Sequence, residues 1–174
     1  MLSLNLSEKS RHLGLPSNLS DFAFASRCAL AGRSAFLYAV RERQIGALYI
    51  GQTRNPNGAL GRFAQHLSWD TDSNTFRRRV LAVFNIDEVE FENIELLGIP
   101  LPDEPRYQNA ARDYREAVES LVHDYVLESL TNSESAPRLC LVSRAYRHPY
   151  RKDKDVDALA RRISQEICVW LERT

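Results

Sequence analysis

No charge of either sign predominates in this chain: Lys plus Arg number 23 and Asp plus Glu number 23 among 174 residues. The missing basic surplus counts against a protein that coats nucleic acid through bulk charge. It leaves open a local field on one face, which is what a phosphate feels. Cysteine is scarce too. Cys28, Cys140 and Cys168 are widely spaced, odd in number and without a C-x-x-C pair, so no zinc site or disulfide framework is expected and the thiols suit a reducing compartment. No apolar run approaches the roughly 18 residues of a membrane span. The opening "MLSLNLSEKSRHLG" lacks the apolar core of a signal peptide. The expected compartment is the cytoplasm, with no membrane partner. Repeats and low-complexity tracts are also absent.

What is present is the composition of an ordinary globule, 44% apolar and 26% charged. The length suits one domain with a real core. Residues 1–34 read as an N-terminal helical extension, in which Ser20 caps "DFAFASRCALAG" and Gly32 stops it. Phe36–Val40 and Ala47–Ile50 read as a hairpin turned by Gln44 and Gly46. A loop, "GQTRNPNGALG", and a short helix over 60–67 follow. "NTFRRRVLAVF" predicts a second helix whose arginines, Arg77 to Arg79, spread around it. "EVEFENIELLGIPL" alternates Val89, Phe91, Ile94 and Leu96 as a strand with a bulge at Asn93. One long helix is expected across "RYQNAARDYREAVESLVHDYVLESL", on the apolar stripe through Tyr114, Val118, Leu121 and Tyr125. "RLCLV" predicts a short strand, and "SRAYRHPYRKDKD" a polar basic loop. A terminal helix from Val156 buries Leu159, Ile163, Ile167 and Trp170. The fold class is therefore α/β in the α+β sense: a small, mainly antiparallel three-stranded sheet flanked by helices. Residues 35–140 form the main domain, with 141–174 packed on it.

The residues that carry chemistry are clustered. Tyr38 and Tyr49 occupy neighbouring strands, Gly51 ends the second, and Arg62 and His66 lie one helical turn apart and so on one face. Plain strand aromatics would account for either tyrosine taken singly. With "FLY" at 36–38, "YIGQTRN" at 49–55 and "RFAQH" at 62–66, residues 35–132 resemble the GIY-YIG nuclease domain. Phe36 stands where that family has its first glycine.

The resemblance implies hydrolysis of a DNA phosphodiester with one divalent cation, Mg2+ or Mn2+. That reaction needs an activated water, neutralisation of charge on the phosphoryl group and help for the leaving oxygen. It implies Tyr38 or Tyr49 as the group that helps deprotonate the water, and a phenol of ordinary pKa near 10 needs positive charge beside it to do so. Arg62 would clamp the phosphate through its planar fork, with His66 assisting as acid or base. A helix glutamate would hold the cation. Glu119 is preferred to Glu128 because Val122 follows it at the expected apolar place and the residues after Glu128 turn polar early. Nucleic-acid contacts are expected of Gly51, Gln52 and Arg54 in the motif, of Asn132 beyond the helix glutamate, and of Arg144 and Arg147 in the basic loop. His12, His123 and His148 show no metal-site spacing. One site cuts one strand, so double-strand cleavage would require a homodimer or two visits. Two other classes remain open: a nucleic-acid-binding module that keeps the scaffold without cleavage, and a protein-interaction domain.

Overall fold

The run Phe36–Glu42 is buried at every position, which a strand with one wet face does not permit; both faces of its sheet must be covered. The computed structural model describes the backbone of residues 2–6, and residues 34–68, 75–91, 94–132 and 139–172. In chain order the elements are β1 (Leu2–Leu6), β2 (Phe36–Glu42), β3 (Ala47–Thr53), α1 (Gly58–His66), α2 (Thr75–Phe84) and β4 (Ile94–Pro100). There follow α3 (Pro105–Gln108), α4 (Asp113–Asn132), β5 (Cys140–Leu141), a 3-10 turn (Pro149–Lys152) and α5 (Lys154–Leu171). This is an α+β fold, as expected.

The sheet is larger than three strands. Among the described residues it has five, in the order β1-β4-β2-β3-β5. The central trio β4-β2-β3 is antiparallel, as its composition suggests. β1 adds an antiparallel edge against β4 and β5 a parallel edge against β3, so the sheet is mixed. Residues 2–6 therefore belong to a strand instead of the helical extension expected for them. The helix expected over 20–32 lies outside the described residues, as do Asn93 and its bulge. At the other edge the Cys140 N–H donates to the Gly46 carbonyl at 2.7 Å and the Val142 N–H to the Leu48 carbonyl at 2.8 Å.

Two further boundaries differ. Val89 and Phe91 are buried but precede the strand, which begins at Ile94. The Arg77 guanidinium donates to the Val89 carbonyl and lies 4.7 Å from the Phe91 ring, so these residues pack on α2. The long helix is also interrupted. Gln108 binds back to the chain before α3, donating to the Pro102 carbonyl at 2.9 Å and accepting from the Ala35 N–H at 2.8 Å. Asn109 is extended, and the helix restarts at Asp113.

Alternation assigns the faces. Leu37, Ala39, Leu48, Ile50, Leu97 and Ile99 meet α4 and α5. Tyr38, Val40, Tyr49, Ile94 and Leu96 meet Phe63 of α1, Phe76 and Val80 of α2, and Phe91. The expected basic loop is pinned: Arg151 reaches Ser120 Oγ at 3.1 Å and the Asp124 carboxylate, and Tyr150 stacks on Tyr114 at 4.4 Å. Asp153 caps α5 by accepting from the Asp155 N–H at 2.9 Å. Across the β2–β4 ladder buried Arg41 pairs with Glu95, donates to the Leu171 carbonyl at 2.8 Å and lies 4.7 Å from the Trp170 ring. That anchors the end of α5 to the sheet. Among the described residues, no helix is long and apolar enough to cross a membrane.

Candidate active site

The hairpin register puts Tyr38 opposite Gly51 and Tyr49 opposite Val40, so the phenols are diagonal neighbours on one face. Their rings stack at 6.2 Å. Gly51 makes this possible: a Cβ there would stand 2.5 Å from Tyr38 Oη and 2.9 Å from Tyr49 Cε1. Its lack of a side chain therefore serves the tyrosines, a different reason from the close phosphate approach expected of it. Gly51→Ala is predicted to push the Tyr38 ring off its partners, lowering stability by about 1–3 kcal/mol and any cleavage by about 100-fold. Urea unfolding and a nicking assay on the same preparation check it; a fully active variant would mean that the position of Tyr38 is unimportant.

Helix α1 supplies the next two groups. Asn55 Oδ1 accepts from the Asn57 N–H at 2.9 Å, the Gly58 N–H donates to the Asn55 carbonyl at 2.8 Å, and Gly58 takes a positive φ of 64°. That turn starts the helix, and one turn in, Arg62 donates through Nε to Tyr38 Oη at 3.4 Å. Its other nitrogens bind Gln65 Oε1 at 2.7 Å and Thr75 Oγ1 at 3.0 Å. The guanidinium is thus held in a fixed plane.

His66 sits behind the tyrosines, fully buried. Its Nδ1 accepts from the Phe76 N–H at 3.2 Å, so the neutral ring carries its hydrogen on Nε2, which donates to Tyr38 Oη at 2.9 Å. Tyr38 Oη consequently receives two N–H groups, and its own hydrogen must point elsewhere. Burial, then the Arg62 charge, holds the His66 pKa down at about 3. The expected role of His66 as acid or base near neutral pH does not fit: neither nitrogen is free, and the ring does not line the cavity. It positions Tyr38.

That burial has a consequence for stability. Between about 3 and 6.5 the unfolded imidazole binds a proton that the folded one refuses, so stability rises with pH across this window and is lost as pH falls through it. The loss attributable to His66 is on the order of 4 kcal/mol by pH 3. Urea midpoints of the protein and His66→Gln, taken from pH 7 to pH 4, should converge as the pH drops. Parallel curves would remove this account.

Tyr38, Tyr49, Arg62 and Glu119 line one cavity of about 580 Å³. Glu119 reaches it from α4 and also borders a smaller hollow of about 180 Å³ with Glu116, Arg144 and Tyr146. Burial, then the Glu116 charge, pushes the Glu119 carboxyl up to about 8. The tyrosines are not lowered as a base would require. Burial first, then the neighbouring phenol, raises Tyr38 despite Arg62; burial, then Glu119, raises Tyr49.

No protein-family model matches the chain, and no curated protein or solved structure matches it.

The expected contact residues divide. Gln52 and Arg54 line the main cavity beside Gly51, and Arg144 borders the smaller hollow. Asn132 ends α4, about 20 Å along the axis from Glu119 at 1.5 Å per residue, and lines neither space. Glu128 lies outside both as well, and Arg147 is exposed on the loop outside both. His123 donates to the Ser143 carbonyl at 2.9 Å, and His148 sits 3.5 Å from Asp113, both structural contacts. Two residues were missed, Arg112 and Arg115, which line the cavity at the start of α4. Their signal was available: Arg112, Arg115 and Glu119 recur at helical spacing and share a face.

Among the described residues, no group of three or more His, Cys, Asp or Glu could hold a metal by itself. The donor set still fits a hard cation of the magnesium kind, which takes one or two carboxylates and completes its shell with phosphate oxygens and water. Glu119 is the carboxylate in the cavity, and a carboxyl held protonated by burial is one that a cation can charge.

Proposed function

We propose that the chain is a GIY-YIG-type endonuclease, dependent on Mg2+ or Mn2+, that hydrolyses DNA phosphodiester bonds. The observation that carries this reading is the convergence of Tyr38, Tyr49, Arg62 and Glu119, from β2, β3, α1 and α4, on one polar cavity. Four arginines, Arg54, Arg62, Arg112 and Arg115, line the cavity together with Glu119, giving a neutral protein a local field suited to phosphate.

The roles follow from the contacts. Arg62 lies beside Tyr38 with its fork braced on Gln65 and Thr75, so it presents fixed N–H groups to phosphoryl oxygens where charge develops. The His66 Nε2–H and the Arg62 Nε–H both donate to Tyr38 Oη, contacts that would stabilise its phenolate: once the phenolic hydrogen has passed to solvent in the cavity, the oxygen takes one proton from the attacking water and is a phenol again. Tyr49, stacked on Tyr38, closes the other side. Glu119 would hold the cation, which when bound neutralises phosphate charge and acidifies water. The test is nicking of supercoiled plasmid with Mg2+ or Mn2+, beside Arg62→Ala/Glu119→Ala. Nicking by the protein and none by the double variant is expected; equal nicking by both overturns the proposal.

A second reading, a DNA-binding module without cleavage, is favoured by one observation: burial raises both phenols instead of lowering them. Salt-steep binding to DNA with no nicking under either cation would select it.

A further inference from the structure

Arg115 is only 3% exposed, yet among the described residues its guanidinium meets no carboxylate within bonding distance. Nη1 donates to the carbonyls of Tyr107 at 2.9 Å and Asn109 at 2.8 Å, and Nε donates to Gln52 Oε1 at 3.0 Å. These neutral acceptors fix the side chain where α3 gives way to α4. Arg54 from the β3–α1 loop and Arg112 from the residue before α4 line the same cavity as Arg115. Both are exposed, and among the described residues neither makes a side-chain hydrogen bond or ion pair. The three are close enough to repel: burial, then Arg54 and Arg112, pulls Arg115 below its ordinary pKa, with Glu116 opposing. Three guanidinium groups around one cavity are unfavourable to hold together unless an anion joins them.

We infer that Arg54 and Arg112, backed by the buried Arg115, form a second anion subsite that takes the backbone phosphate next to the scissile one. The subsite rests on the nuclease reading for its position along the strand. Its chemistry, two guanidinium forks on one phosphodiester, rests on the lining of the cavity and on the absence of side-chain partners for Arg54 and Arg112 among the described residues. Arg62, Tyr38 and Glu119 attend the reacting phosphate, while this subsite holds the neighbour in both ground and transition states. It therefore contributes uniform binding, which sets affinity and not the chemical rate. The recognised substrate is then a polynucleotide with at least two consecutive phosphates.

The probe is a fluorescein-labelled DNA duplex, its binding followed by anisotropy across a KCl series with Ca2+ in place of Mg2+. Arg54→Gln/Arg112→Gln is compared with Arg78→Gln, an exposed arginine on α2 outside the cavity. The double variant should bind about 10-fold or more weakly at low salt and lower the slope of log K against log salt by about 1, as for one lost phosphate contact. The Arg78 variant should leave the slope unchanged. In plasmid nicking the double variant should show a raised KM with kcat within about 3-fold of the parent. An unchanged slope, or an equal change for Arg78→Gln, overturns the subsite. A slope change in a protein that never nicks upholds the subsite while the nuclease reading fails, so the two are separable. Because both arginines are exposed, circular dichroism of the variant should match the parent.

Discussion

Glu119→Gln should abolish Mg2+-dependent nicking, by about 10³-fold or more, and at the same time stabilise the protein above neutral pH. The two effects have one cause. Burial holds the Glu119 carboxyl protonated up to about pH 8, whereas the unfolded carboxyl ionises near 4.5. Across that window the folded state binds the extra proton, so this group's contribution to stability falls as pH rises from 4.5 to 8. Gln is isosteric and never ionises. The variant should gain on the order of 2 kcal/mol at pH 8 relative to the parent, a figure discounted because the carboxyl borders an open cavity. The loss of activity follows because an amide cannot supply the negative charge a hard cation needs. Calorimetry at pH 6 and pH 8, with and without Mg2+, separates the parts: Mg2+ should raise the parent's melting temperature at pH 8 and leave the variant's unchanged. Retained nicking by Glu119→Gln, or loss of nicking in Glu128→Gln instead, would show that the helix register of the site is wrong.

The hairpin and α1 were legible in the sequence because their chemistry is local. Gly46 and Gly58 mark the turns, Tyr38 and Tyr49 alternate with apolar residues, and Arg62 and His66 are fixed by helical spacing alone. The sheet edges were not legible, because nothing in "LSLNL" or "RLCLV" says which strand each will meet. The break between α3 and α4 was hidden for a similar reason. Gln108 interrupts an otherwise unbroken stripe through contacts with Ala35 and Pro102, which periodicity cannot foresee. At the site, the convergence of groups could be read but not their environment. His66 looked like a titrating base; only its burial against Phe76 and Tyr38 turns it into a donor with a fixed tautomer. Asn132 failed on length, since a continuous helix carries it away from Glu119. Arg112 and Arg115 shared a helix face with Glu119, yet the stripe drew notice to the apolar side of that helix.

On the nuclease reading proposed above, the environment also explains how a neutral chain would address a polyanion. Its acids and bases balance in number but not in place. Arg41 and Arg43 are matched by Glu95, Arg106 by Glu104 and Asp155, Arg151 by Asp124 and Arg161 by Asp157. The cavity arginines have no such carboxylates bonded to them among the described residues, and Glu119 alone lines the space with them. Internal pairing of those other residues leaves the cavity arginines, among the described residues, with positive charge that no bonded carboxylate matches.

Arg62→Lys should then be nearly as damaging as Arg62→Ala, lowering kcat by about 10²–10³-fold although the formal charge is kept. Arg62 uses three different nitrogens on Tyr38, Gln65 and Thr75, at 3.4, 2.7 and 3.0 Å. A lysine ammonium is a single point and cannot brace itself on α1 and α2 while facing a phosphate. Arg62 also opposes the rise in the Tyr38 pKa, by its charge and then its hydrogen bond, so losing the Nε–H raises that value further. The ascending limb of the nicking rate against pH should accordingly move to higher pH in both variants, more so in Arg62→Ala, which loses the charge as well. Stability should fall little, about 1 kcal/mol, since no buried carboxylate is left unpaired. Near-normal cleavage by Arg62→Lys, with an unshifted pH profile, would take Arg62 out of the reaction and leave it as a brace between two helices.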